Sequence, residues 1–132
     1  MGILAVGCAQ PEPGVLVSRD GDQYIVSVLN CGNPRLARLP VRGFRIGKAP
    51  LGAGAAAQCV LHLSSEIVDG DFYVMRWRYG SQPKGYALEL CAPIERGATY
   101  EVYVSASPKG PIGHFSVASN GDVTMIDGNC PK

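Results

Sequence analysis

Ile94-Glu95-Arg96-Gly97-Ala98-Thr99-Tyr100-Glu101-Val102-Tyr103-Val104-Ser105-Ala106 is the stretch on which the fold turns. From Tyr100 onward it alternates. Tyr100, Val102 and Val104 fall on one side of an extended chain, because successive side chains of a strand point to opposite faces. Glu101 falls on the other side, where the alternation predicts a solvent-facing charge. Gly97 sits ahead of the alternating run, as a turn requires.

The same grammar extends in both directions. Val15–Ser18 and Tyr24–Leu29 flank Arg19-Asp20-Gly21-Asp22, a hairpin signal because Gly accepts the positive φ of such turns. Leu39 to Ile46 reads as a strand interrupted by Pro40 and Gly43, which places it at a sheet edge. Gly47 to Ala57 is rich in Gly, Ala and Pro and reads as a loop. Cys59, Leu61 and Leu63 alternate as in a strand, although residues 55–67 also fit a short helix. After Asp69-Gly70-Asp71, the residues Tyr73, Met75, Trp77 and Tyr79 share one face and Arg76 and Arg78 the other. That aromatic stripe reads as the buried face of a central strand, or as an exposed platform for a sugar or peptide. Tyr86, Leu88 and Leu90 form another face, and Phe115, Val117 and Val123–Ile126 flank Asn120-Gly121-Asp122 as a final hairpin.

With 132 residues, 46% hydrophobic and 17% charged, the chain has material for one core and too little charge for a disordered segment. Its 17 Gly and 10 Pro suit many short strands joined by turns. A net charge of +1 argues against nucleic-acid binding, which needs a basic footprint. No stretch approaches the roughly 20 apolar residues of a membrane span.

The Ile94–Ala106 stretch resembles the strand entry of fibronectin type III and related immunoglobulin-like sandwiches. Ile94, Gly97 and Tyr100 match its apolar, Gly and Tyr positions, while Arg96 stands where Pro is usual. The resemblance implies that the Tyr100 hydroxyl bonds to backbone a few residues upstream. Disulfides are uncommon in type III domains, and Trp77 has no clear place on their strands B or C. The resemblance carries architecture and no function, since this fold serves many unrelated roles. The expected fold is therefore all-β, an antiparallel β-sandwich of immunoglobulin-like type with about seven to nine strands over residues 15–132; the alternative is a small closed β-barrel.

Cys31, Cys59, Cys91 and Cys130 lie in that body and read as two disulfides of an oxidising compartment. Their wide spacing, without Cys-x-x-Cys or Cys/His pairs, disfavours zinc. Three pairings are open, with Cys31–Cys59 and Cys91–Cys130 preferred as neighbours along the chain. The fifth cysteine, Cys8, ends Ala5-Val6-Gly7-Cys8, which resembles the lipobox of bacterial lipoproteins. It departs from that pattern at Ala5, where Leu is usual, and no Lys or Arg precedes it. Residues 1–14 thus read either as a signal remnant and stalk with a lipidation site at Cys8, or as a frayed first strand with a free thiol.

Candidate chemistry is sparse. The three Asp/Asn-Gly-Asp triplets resemble paired calcium ligands, but none continues with an EF-hand's spaced oxygens, and turns explain them. His62 and His114 are the two histidines, with no Gly-x-Ser-x-Gly elbow beside either. Glu89, Glu95 and Glu101 are candidate paired carboxylates for glycoside chemistry. Arg35, Arg38, Arg42, Arg45 and Lys48 form a basic run, read as a patch for an anionic partner or as charges deterring edge-to-edge pairing. No cofactor and no catalytic residue is expected. These features point to a non-catalytic exported binding module, a bacterial envelope lipoprotein domain for instance, that is periplasmic, anchored or secreted. Its partner would be a protein or an anionic envelope polymer, with membrane contact only through Cys8. A small secreted enzyme inhibitor is the alternative, and a hydrolase the third reading.

Overall fold

A computed structural model describes residues 12–33, 39–50, 57–64, 75–107 and 109–131. Nine strands run through them: β1 (Gly14–Asp20), β2 (Gln23–Leu29), β3 (Val41–Lys48), β4 (Cys59–Leu63), β5 (Arg76–Arg78), β6 (Tyr86–Cys91), β7 (Thr99–Ala106), β8 (Ile112–Val117) and β9 (Val123–Asp127). They form two antiparallel sheets, a three-stranded one in the order β1-β2-β5 and a six-stranded one in the order β6-β4-β3-β7-β8-β9. The sheets remain separate, so the molecule is a β-sandwich and not a closed barrel.

One core joins the two layers. Val15, Val17, Val26, Val28 and Trp77 face it from the smaller sheet, and Phe44, Ile46, Leu61, Tyr100, Val102 and Phe115 from the larger. Trp77 stacks on Phe44 across the layers, with centroids 5.1 Å apart. Such a pair contributes about 0.5–1.5 kcal/mol beyond its buried area. The indole N–H donates to the Ser81 carbonyl at 2.9 Å, so burying Trp77 strands no donor. Trp77 is fully buried, with Met75 and Tyr79 packed around the core, so these members of the aromatic stripe are core. Tyr73 lies outside the described residues, as do Cys8, Arg35, Arg38 and the Asp69-Gly70-Asp71 turn.

Residues 59–63 are strand. The turns at Gly21 and Gly121 adopt positive φ of 62° and 92°, as their sequences predict. Three expectations about strands and cross-links differ from the structure. First, β3 is an interior strand, paired with β4 on one side and β7 on the other. Pro40 precedes the strand, so it removes no ladder donor. A Cβ at Gly43 would collide with the Leu61 carbonyl, so the glycine marks a close approach between strands. Second, the disulfides are Cys31–Cys130 and Cys59–Cys91. Cys59 and Cys91 are cross-strand partners on β4 and β6. The chain end after β9 returns to the end of β2, where Val15 N–H donates to Gly128 O at 2.8 Å. Chain proximity was a poor guide because sheet neighbours here are distant in sequence. Third, Leu90 leaves the face of Tyr86 and Leu88. The β4–β6 register shifts between Cys59 and Val60, Leu90 takes a φ of 22°, and its side chain is 69% exposed. An extra residue in one strand bends it and re-aims side chains in this way.

Candidate binding face

The face of the six-stranded sheet turned away from the core carries Arg45, His62, Glu101, Tyr103 and His114. Directly opposed residues of antiparallel strands share a face. One row across it is Glu89, Val60, Arg45, Tyr103 and Ile112, from β6 to β8. The next is Ala87, His62, Gly43 and Ser105. On the other side lie Gly47, Glu101, His114 and Asp127.

Between the first two rows runs a shallow groove of about 680 Å³. Gly43 forms its floor, because a side chain there is sterically excluded. Arg42, Arg45, His62, Tyr103 and Ser105 are among its walls, and no described carboxylate lines it. The Arg45 guanidinium sits 5.8 Å from the Tyr103 ring centroid, a cation–π contact that holds it along the sheet surface. Arg42 lies where the β3–β7 register shifts, between Val41 and Gly43, and is exposed. His62 Nε2 meets Glu89 Oε1 at 3.3 Å at the rim.

The basic run is divided by the fold. Arg42 and Arg45 border the groove. Lys48 stands six residues along the strand from Arg42, about 20 Å away at strand rise, and pairs with Glu95 at 2.8 Å. The hydrogen bond and charge of Glu95 raise the Lys48 pKa. Glu95 and Glu89 are exposed. Glu101, expected to face solvent, is 8% exposed.

Glu101 is covered because it belongs to a cluster. His114 Nε2 lies 2.7 Å from Glu101 Oε1, and His114 Nδ1 lies 2.8 Å from Asp127 Oδ1. Ionised carboxylates only accept hydrogen bonds, so both ring nitrogens must donate and the imidazolium is selected. The hydrogen bonds to Asp127 and then Glu101 accordingly raise the His114 pKa. Both ring nitrogens of His114 are thus engaged by carboxylates. Hydrogen bonding to Glu101 also raises the Tyr103 phenol pKa, keeping the hydroxyl protonated.

The Asp20-Gly21-Asp22 and Asn120-Gly121-Asp122 turns meet through a cation. Arg19 donates from Nε to Gly21 O at 2.8 Å and from Nη1 to Asn120 O at 2.8 Å, and pairs with Asp122 Oδ1 at 3.2 Å. A guanidinium thus links the two turns where a calcium reading would place an ion. Among the described residues no group of three or more His, Cys, Asp or Glu is arranged to hold a metal.

The groove and the His114 cluster were missed from sequence. Outward positions such as Glu101 and His114 are legible as alternation, but their juxtaposition needs the β7–β8 register. No family model, curated protein or solved structure matches the chain. Fold and cross-links define its class, a disulfide-bonded antiparallel β-sandwich with a polar outer sheet face.

Proposed function

We propose that this protein is a non-catalytic, exported binding module that takes an anionic partner on the outer face of its larger sheet. The observation that carries this reading is a shallow groove on that face with Arg42, Arg45 and His62 in its lining. Fixed like charge in a concavity attracts the opposite sign and speeds encounter. Two disulfides in a small β domain are consistent with export.

The test is retention on immobilised anionic envelope polymer at low and high salt, for the native protein and an Arg42→Glu/Arg45→Glu variant. Exposed charges are screened within about 8–10 Å at ordinary ionic strength, so native retention should fall with salt. The variant should fold and be retained weakly at low salt. Equal retention of both proteins at both salts overturns the reading.

A further inference from the structure

We infer that the far edge of β5 is a docking site for an extended acidic peptide, which adds to the smaller sheet as a further strand. The peptide carries carboxylates at alternate positions about one apolar residue. This surface belongs to the sheet opposite the groove and stands apart from the anion-binding reading.

Three observations carry it. The first is the backbone. β5 ends the three-stranded sheet, and among the described residues no strand pairs with its far side. Val28 N–H donates to Met75 O at 2.7 Å, and Tyr79 N–H to Tyr24 O at 2.9 Å. Backbone groups alternate sides along an antiparallel strand. Met75, Trp77 and Tyr79 therefore turn theirs to β2, and Arg76 and Arg78 turn theirs away from it. The Arg78 carbonyl is taken by Ser81, whose N–H and hydroxyl donate to it at 2.9 and 2.7 Å. The Arg76 N–H and C=O and the Arg78 N–H are left for an added strand, the main-chain mode of peptide recognition.

The second is charge. Trp77 points into the core, while Arg76 and Arg78 are exposed on the outer face. Neither guanidinium forms an ion pair with a described carboxylate. Two copies of β5 side by side would set Arg against Arg, so these charges repel a second copy and favour an acidic strand.

The third is spacing. Residues two apart on a strand recur on one face every 6.6–6.8 Å or about that. A peptide with Asp or Glu at alternate positions has the same repeat, so both ion pairs form in a single register. The residue between them falls on the core-facing side beside Trp77, where an apolar side chain fits. A flexible polyanion supplies charge without the main-chain donors and acceptors that this edge can pair.

The experiment is a backbone amide NMR titration of the full chain, to millimolar ligand, with an end-capped Thr-Val-Glu-Val-Glu-Val-Thr peptide. Comparison probes are its Gln-for-Glu form, a form N-methylated at both glutamates, and inorganic polyphosphate. Saturable shifts at residues 76–78 and slower hydrogen exchange of the Arg76 amide are expected with the glutamate peptide alone. Arg76→Gln/Arg78→Gln should weaken that binding about fivefold or more, since two cross-strand ion pairs are lost. Lys109→Gln should leave it unchanged. The N-methylated probe is read on the native protein, so its result stands even where the double variant disturbs the rest of the spectrum. Equal binding of the Gln form, or an unchanged affinity in the double variant, would overturn the acidic ligand. Equal binding of the N-methylated peptide or polyphosphate at residues 76–78 would overturn strand addition. Glutamate-peptide shifts elsewhere, or no binding, would overturn the site. None of these results bears on the groove, whose test reads Arg42 and Arg45.

Discussion

The Tyr100 hydroxyl accepts a hydrogen bond from the Glu95 backbone N–H at 2.7 Å, while its ring stacks on Phe115 with centroids 5.4 Å apart. The corner implied by the Ile94–Ala106 stretch is therefore present. It fixes how the chain enters β7, the strand that carries Glu101, Tyr103 and Ser105 to the outer face. Tyr100 is fully buried, so Tyr100→Phe keeps the packing and removes one hydrogen bond. The expected loss is about 1 kcal/mol or somewhat more, read as a lower denaturant midpoint with an unchanged slope. A native midpoint would show that the bond adds nothing.

His114 makes stability pH-dependent, with a definite sign. Its folded pKa is raised by Asp127 and Glu101. The contribution is therefore full below the unfolded value of about 6.5 and is lost as pH rises through the higher folded value. His114→Gln should lie furthest below the native protein in stability at about pH 6 and converge with it in alkaline solution. Thermal melts across that range read the difference, and a pH-independent gap would refute the ionic account.

Cross-linking should follow space and not chain order. A non-reducing peptide map should contain Cys31–Cys130 and Cys59–Cys91 fragments, and finding Cys31–Cys59 would contradict the fold. Cys31–Cys130 closes a separation of 99 residues and Cys59–Cys91 one of 32. In the loop-entropy picture, removing the longer link with Cys31→Ser/Cys130→Ser costs about 4–5 kcal/mol. Chemical denaturation of that variant measures the loss.

Gly43→Ala should be costly for an alanine substitution in a strand. The added methyl meets the Leu61 carbonyl, a backbone atom of the neighbouring strand that cannot rotate away. Forced overpacking of this kind costs about 1–3 kcal/mol. A variant as stable as the native protein would mean that β3 and β4 separate easily.

Alternation and turn chemistry made most strands legible because both are local. Tyr100, Val102 and Val104 announce one buried face, and Gly21 and Gly121 occur where the backbone needs positive φ. The assignment of residues 59–63 to a strand also came from alternation, at Cys59, Leu61 and Leu63.

What the sequence by itself determined about this protein was the all-β class, the corner at Tyr100 and the commitment of four cysteines to disulfides. The all-β class follows from local alternation and turn chemistry, the disulfides from the number of cysteines and their lack of metal-ligand spacing, and the corner from the resemblance of Ile94–Ala106 to immunoglobulin-like sandwiches. Tertiary structure alone decided that β3 is central, that Cys59 meets Cys91, and that Glu101 is buried against His114. It also decided that Arg42 and Arg45 border a groove while Lys48 is taken up by Glu95. These outcomes depend on strand order and register, which are set by the joint packing of two sheets. Gly43 shows the difference most clearly. In the sequence it reads as a break at an edge; in the sandwich it is the point where β4 comes so close that an added side chain meets the Leu61 carbonyl.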